Sequence, residues 1–342
     1  MSAQHFDEHP QHPFATFVRI LGKGKKGTRS LTQSEANEAF GMILQGKVEP
    51  LQLGAFLMLL RVKETSAEEL AGFVEACRKH IAAPLLRIDL DWSSYAGKKH
   101  QHPWYILSIL LLAQAGWRIF IHGAEGHTAN RLYTEQAMQG LGLPLASHWQ
   151  DVATQLDNNG FAYLSLGHFC PELHRIMQLQ PILGLRSPVN TFTRMLNPLA
   201  APAAVQSIFH PAYAELHRDT DALLAQPRSL VFKGDSGEVE IKPPARTRLI
   251  MLVDGQRQER VLPATLPGRT TRVEQLSVEP LRQLWCKKCD GMSKDHYGEL
   301  ATLATTSAVL QVLEPQLTPA QAYEYTLSLW QQRDRSRLKS CL

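Results

Sequence analysis

Between Phe17 and Thr32 the chain places Arg19, Lys23, Lys25, Lys26 and Arg29 with no acid among them, interleaved with Gly22, Gly24 and Gly27. Glycine frees the backbone to approach a phosphate while the cations release its counterions, so the segment suits a phosphate backbone. The plain alternative is a solvated loop joining two helices. It is not a Walker loop, because Gly22–Thr28 lacks the Gly-Lys-Ser/Thr ending. A second cluster, Lys98, Lys99, His100 and His102, is flanked by Tyr95, Trp104 and Tyr105. Cations beside aromatic rings can hold a strand's phosphates and stack its bases, unless Trp104 and Tyr105 are core residues of the helix that follows. Both lysines are expected at the surface in either case. A third set comprises His174, Arg175, Arg186 and Arg194, where Arg186 suits a buried ion pair as well as a ligand. Cys286 and Cys289 have CxxC spacing with His296 beyond them, but a structural zinc site needs four ligands and no second pair follows. An exposed helical turn with two thiols, and no metal, is the expectation. His122, His127, His168 and His210 show neither HxH nor HExxH order, and no Ser/His/Asp arrangement is readable from spacing.

The elements that position these residues follow from composition and periodicity. A chain of 342 residues with 44% hydrophobic and 20% charged residues is globular and long enough for about two domains. A net charge of +4 permits polyanionic partners without requiring them. The longest apolar run, Ile106–Ala113, is far short of the roughly 20 residues of a membrane span, and the N-terminus has no apolar signal core. Five cysteines scattered over this length do not form a secreted disulfide framework, so a cytoplasmic location is expected.

From Phe14 to about Ile81 the pattern is helical. Thr32 and Glu35 have capping-box spacing, a second helix follows Pro50, and a third starts near Thr65 or Ser66. After Pro84, strand candidates at Leu85–Leu90, Trp117–Ile121, Phe161–Leu166, Ser229–Phe232 and Leu249–Val253 alternate with helical stretches, which argues for a parallel sheet with crossovers. Pro171 to Arg194 and the segment after Val278 read as helical, and Pro263–Arg272 as a loop.

Three ordered blocks then carry a resemblance. Leu31–Ile81, LTQSEANEAFGMILQGKVEPLQLGAFLMLLRVKETSAEELAGFVEACRKHI, is similar to the N-terminal helical domain shared by anthranilate phosphoribosyltransferases and pyrimidine nucleoside phosphorylases. GLRSPVNTFTRMLNP from Gly184 resembles the GxRTxFNxLGPLxNP stretch of the anthranilate enzymes, and HGAEGHT at His122–Thr128 stands where they have KHGNR. The resemblance implies an α/β fold with a small N-terminal helical domain and a larger domain around a central, mostly parallel sheet.

Departures from that pattern bear on function. The family's GTGGDG turn binds pyrophosphate through backbone amides, whereas this chain has SSYAGKKHQHPWY from Ser93, with Gly97 its single glycine. The lysine and asparagine flanking the family's HG are Ile121 and Ala124. The late HGxDGxDE segment, a source of magnesium ligands, becomes KGDSGEVE, with Ser236 and Val239 at two Asp positions and Glu240 kept. One carboxylate is a poor start for magnesium. Residual family positions are then Gly97, His122, Gly123, Thr128, Arg186, Asn190 and Glu240. The chain resembles more closely a branch that lacks the glycine-rich turn and is linked to nucleic-acid binding as dimers. That branch reads IPSYNGARKQ and GAFCPPLEKQ where this chain has LDWSSYAGKKHQ and GHFCPELHRI.

Residues 1–13, with three His, two Pro and few apolar groups, read as a disordered tail; the resemblance implies a helical dimerisation domain over 14–82 on which helices from about 170–195 pack, and an α/β domain over 83–342. The expected function is a homodimer that binds nucleic acid, single-stranded and with weak sequence preference. Its contacts would be Lys23, Lys25, Lys26, Arg29, Lys98, Lys99, His100, Arg175 and Arg194, with no cofactor and no membrane partner. The enzymatic alternative is a pentosyl or phosphoribosyl transferase that uses magnesium and a small phosphorylated ligand, with Lys98 standing in for turn amides as a point charge.

Overall fold

The computed structural model describes residues 11–24, 26–124, 126, 128–268, 271–287 and 296–338. Lys25, His127, Lys288, Cys289, Cys341 and the first ten residues of the expected tail lie outside the described residues.

Four helices open the chain: α1 (Ala15–Gly22), α2 (Gln33–Leu44), α3 (Pro50–Lys63) and α4 (Ala67–His80). Capping boxes at Thr32/Glu35 and Ser66/Glu69 start α2 and α4, and Pro50 at the first turn starts α3, where its missing N–H costs nothing. The second half of the basic segment is a loop between α1 and α2. After α4, β1 (Leu90–Ser94), α5 (Tyr105–Gln114), β2 (Ile119–Gly123), α6 (Thr134–Leu141), α7 (Trp149–Asn159) and β3 (Phe161–Ser165) follow in turn. Four short helices come next, α8 (Leu166–Phe169), α9 (Pro171–Met177), α10 (Gln180–Leu183) and α11 (Val189–Phe192). The chain continues through β4 (Ala203–Ile208), α12 (Ala214–Leu223), β5 (Arg228–Lys233), β6 (Thr247–Val253) and β7 (Gln256–Leu262). Helices α13 (Glu279–Cys286), α14 (His296–Leu313) and α15 (Pro319–Gln331) complete it.

The sheet runs β3-β2-β1-β4-β5-β6-β7, parallel through β5 and antiparallel for the last two strands. Both faces are covered, which explains the near-continuous apolar strands. Ile119 and Ile121 join the core under α5, α14 and α15, while Phe120 between them joins the core of α1–α4, a period of two written in burial. Phe192 ties α11 to the opening helices, its ring 5.1 Å from Phe40 and 5.6 Å from Phe73. Among the described residues no helix is long and apolar enough to cross a membrane.

Three elements differ from expectation. Leu85–Leu90 is not a strand: Leu85 is fully exposed and β1 begins only at Leu90, where the amides of Asp89 and Leu90 both donate to the Arg118 carbonyl at the sheet's entry. Strands β4 and β7 lie where the sequence suggested none. β4 is Ala-rich and β7 is polar at a sheet edge, so neither carries the apolar run that marks the others.

Candidate functional site

Strand order reverses direction between β1 and β4, so their C-terminal ends, Ser94 and Ile208, diverge and leave a crevice where ligands bind in open α/β sheets. Gly123 closes one wall, since a Cβ there would stand 2.2 Å from the Ser94 carbonyl oxygen.

The turn leaving β1 is filled from within. Glu238, fully buried, accepts hydrogen bonds from the amides of Ala96 (2.7 Å) and Gly97 (2.5 Å) at Oε1 and from Ser94 Oγ (2.6 Å) at Oε2. Lys98, also fully buried, donates from Nζ to Asp235 and Glu240. The other oxygen of Glu240 accepts from the Tyr105 amide (2.9 Å), the first residue of α5, where the helix dipole favours an anion. Burial alone would lower the Lys98 pKa; the charges of Glu240 and Asp235 overcome it and hold the ammonium protonated. Arg131 clasps the two loops, its Nη1 donating to the carbonyls of Ala96 (3.0 Å), Gly97 (2.8 Å) and Ser236 (3.0 Å). The acidic loop can fold this tightly because Gly234 faces the Glu238 carbonyl where a Cβ would come within 1.7 Å. Ser236 at its apex takes a left-handed conformation, φ 59°.

These residues do not fit the groups the resemblance implies. A pyrophosphate needs free turn amides, and a carboxylate already receives them. Magnesium needs several free oxygens in octahedral order, and here an ammonium is seated between Asp235 and Glu240.

Beside the turn lies a cavity of about 210 Å³ of a different character. Arg61 from α3, Arg186, Arg194, His210 and His217 line it together with Tyr95 and Asn190, and no carboxylate does. Arg186 donates to Thr128 Oγ1 (2.9 Å) and Arg194 to the Gly237 carbonyl (3.2 Å). Burial lowers the pKa of Arg194; Glu238 and Tyr95 oppose this, and repulsion from Arg186 and Arg131 adds to it. Burial lowers His100 as well, with Arg272 and Lys99 acting in the same direction. Arg186, Arg194, Arg131, Lys99 and Arg272 thus form a cationic band along the cleft, with Asp235 and Glu238 of the acidic loop set against it.

Two buried relays stand behind the cavity. His217 Nδ1 donates to Gln206 Oε1 (2.8 Å), and Gln206 Nε2 donates to both oxygens of Asp221 (2.9 and 3.0 Å). Burial holds His217 neutral, down to about 3, and pushes Asp221 up to about 6. In the second relay, Asp91 Oδ2 and His122 Nε2 are 3.1 Å apart, and Tyr95 Oη donates to His122 Nδ1 (2.7 Å). His122 is wholly buried, stacked on Phe120 (5.8 Å), so it orients Tyr95 rather than meeting solvent.

The structure redistributes the sequence-derived candidates. Arg186, Asn190 and Arg194 meet in the cavity, with Thr128 supporting Arg186. Lys99 is exposed and His100 half-exposed beside it, as expected. Lys98 corrects the expectation of a surface lysine: it is fully buried, and its desolvation is offset by the two carboxylates to which its ammonium is committed. Arg29 is engaged by Glu35 through both guanidinium nitrogens (2.6 and 2.7 Å), so it is not a free phosphate contact. Lys23 and Lys26 are exposed but line neither this cavity nor the second described below, and Arg175 is exposed on α9 away from both. Trp104 and Tyr105 are wholly buried, and Tyr95 is 2% exposed, so none of the three is a stacking surface. Cys286 is disulfide-bonded rather than a free thiol. Glu240 is not the acidic loop's lone carboxylate in the crevice: Asp235 and Glu238, at the motif's unconstrained positions, converge with it. Sequence reasoning also missed Arg61 and Arg131, isolated cations with no motif around them.

Helical bundle, parallel sheet and crevice together define a glycosyl transferase fold. Residues 18–81 match the "Glycosyl transferase family, helical bundle domain". Anthranilate phosphoribosyltransferase of Methylocella silvestris is 30% identical over 246 residues, covering 69% of this chain and 68% of the relative. The Escherichia coli protein YbiB, itself uncharacterized, is 27% identical over 251 residues, covering 70% and 76%. Anthranilate phosphoribosyltransferase from Thermus thermophilus superposes with a TM-score of 0.79 at 18% identity, over 94% of this chain and 96% of that one. The chain belongs to the anthranilate phosphoribosyltransferase-like family of glycosyl transferases.

Proposed function

We propose that the protein binds single-stranded nucleic acid with weak sequence preference, on a phosphoribosyltransferase fold whose pyrophosphate and magnesium positions are taken by its own Glu238 and Lys98. The observation that carries this reading is the carboxylate-free lining of the cavity, with Arg61, Arg186 and Arg194 converging on it beside a turn whose charged groups are engaged within the protein. Unmatched arginines facing solvent are the means by which a protein holds a polyphosphate backbone. Lys99 and Arg131 extend the band beyond one phosphate. Electrophoretic mobility shift with a labelled oligonucleotide tests it: affinity should fall steeply between roughly 50 and 300 mM salt, and Arg186→Glu should abolish the shift. An absence of binding at low salt overturns the reading.

The cavity's small volume favours a second reading, a transferase or receptor for a small anion. Calorimetric titration with phosphoribosyl pyrophosphate and magnesium separates the two. The transferase requires binding that depends on magnesium; the nucleic-acid reading predicts no magnesium-dependent heat, because the turn amides and the acidic-loop carboxylates are engaged.

Exposed Leu51 and Val62 on α3 and Ile182 on α10 supply an apolar surface on the helical layer that supports self-association into a homodimer. Sedimentation of a Leu51→Glu, Ile182→Glu variant should give half the mass of the wild type.

A further inference from the structure

A second cationic cavity, of about 330 Å³, opens on the far side of the turn that follows β4. Lys233, Lys242 and Arg246 stand on its rim over an apolar floor that includes Phe232 and Ile250. None of the three cations is ion-paired among the described residues, whereas Arg248 beside them is committed to Glu215 and Glu259. Ile208 belongs to both cavities, and the turn after it passes from one to the other: Phe209 and His210 line the first and Pro211 the second. Phe209 is 58% exposed, the only phenylalanine so exposed among the described residues. His210 props its ring edge-to-face at 5.1 Å.

A lone exposed apolar side chain is ordinary. An exposed ring on a short turn between two carboxylate-poor, cation-rimmed hollows is the combination by which proteins follow a single strand: phosphates on either side, a base stacked between. We infer that Phe209 is a base-stacking platform, with the strand's backbone passing from the Arg61–Arg186–Arg194 cavity to the Lys233–Lys242–Arg246 cavity. This rests on the nucleic-acid reading above and adds to it a path and a demand for unpaired bases. A duplex keeps its bases stacked on each other and cannot offer one to the ring. It takes over the role that buried Trp104, Tyr105 and Tyr95 cannot play.

The test compares a thymidine 12-mer with an abasic 12-mer of the same backbone and charge, by fluorescence anisotropy on the full chain at low salt. Wild type should prefer the thymidine strand by roughly five- to a hundredfold, the range that one stacked base contributes. Phe209→Ala should erase that preference while leaving abasic affinity unchanged; Phe209→Tyr should keep it. Lys242→Ala with Arg246→Ala should weaken both strands alike. Equal binding of the two strands by wild type, or a preference that survives Phe209→Ala, overturns the platform and leaves the nucleic-acid reading standing. Failure of wild type to bind either strand removes both. Circular dichroism of each variant distinguishes a lost contact from a lost fold.

Discussion

The turn after β1 and the cavity next to it differ in how they treat charge, although Arg194 reaches into both. In the turn, a carboxylate sits on the backbone amides and an ammonium sits between two carboxylates, all within the protein. In the cavity, three arginines converge with no carboxylate to meet them. In the first arrangement the amides, the ammonium and the carboxylates are engaged with one another, which leaves little for an external ion to bind. The second has cations and no carboxylate, and on the proposed reading a phosphate supplies the missing charge. In one crevice the chain has closed a site with its own side chains and left its neighbour open.

That contrast breaks most visibly at Lys98. Lys98→Met leaves Asp235 and Glu240 buried together without a counter-charge, and removing one partner of a buried ion pair costs about 3 to 5 kcal/mol. Urea unfolding should show a loss of that size. A change below about 1 kcal/mol would mean that solvent reaches the pair and that the turn is not closed.

Glu238→Ala tests the other half. Three donors, Ser94 Oγ and the amides of Ala96 and Gly97, lose their acceptor, a loss of about 2 to 3 kcal/mol for charge-assisted bonds in a buried place. Inorganic phosphate should then raise the melting temperature of the variant by more than that of the wild type, because an added anion can occupy the amides that Glu238 vacates as well as the arginine cavity that both proteins share. Equal response in both proteins would show that Glu238 does not guard the turn.

His217 gives the cavity a pH signature. Its folded pKa, about 3, is depressed from 6.5, so the stability it contributes is fully present above about pH 6.5 and lost as pH falls toward 3. Asp221, raised from 3.8 to about 6, works oppositely, contributing stability at low pH that is lost as pH rises through 6. Arg194 also repels a His217 imidazolium. Between pH 7.5 and 5 the histidine alone should remove about 2 kcal/mol of stability. His217→Gln, which can still donate to Gln206, should flatten that dependence relative to wild type; parallel curves would place a solvated, titrating histidine in the cavity.

How much of this the sequence displayed depends on whether the signal was local. The helical layer was legible because capping boxes at Thr32 and Ser66 and Pro50 at a helix start are decided within a few residues. The mostly parallel sheet was legible from apolar runs, and β7 escaped because an edge strand alternates weakly. Arg186, Asn190 and Arg194 surfaced through a motif. Lys98 was misread because its neighbours in sequence, Gly97 and Lys99, say nothing of Asp235 and Glu240, more than 130 residues away and brought over by the β5–β6 connection. One sign was available: a turn that carries two lysines, opposite new acids where the acidic loop has variable positions, is a charge change across one site. Phe209 carried no signal at all, since exposure is a property of the fold.

Arg61 gives the smallest effect on folding and the sharpest form of the contrast. It projects from α3 into the cavity with no ion pair among the described residues. Arg61→Ala should therefore change stability by no more than about 0.5 kcal/mol, the ordinary range for a surface site. If the cavity holds a strand's phosphate, the same variant should flatten the plot of log affinity against log salt by about 0.7, one counterion's share for single-stranded nucleic acid. Lys98→Met measured in the same way should lose stability while keeping the slope, because its charge is spent within the protein. If Arg61→Ala destabilises as Lys98→Met does and leaves the slope alone, the arginine is bound internally and the distinction between a closed turn and an open cavity falls.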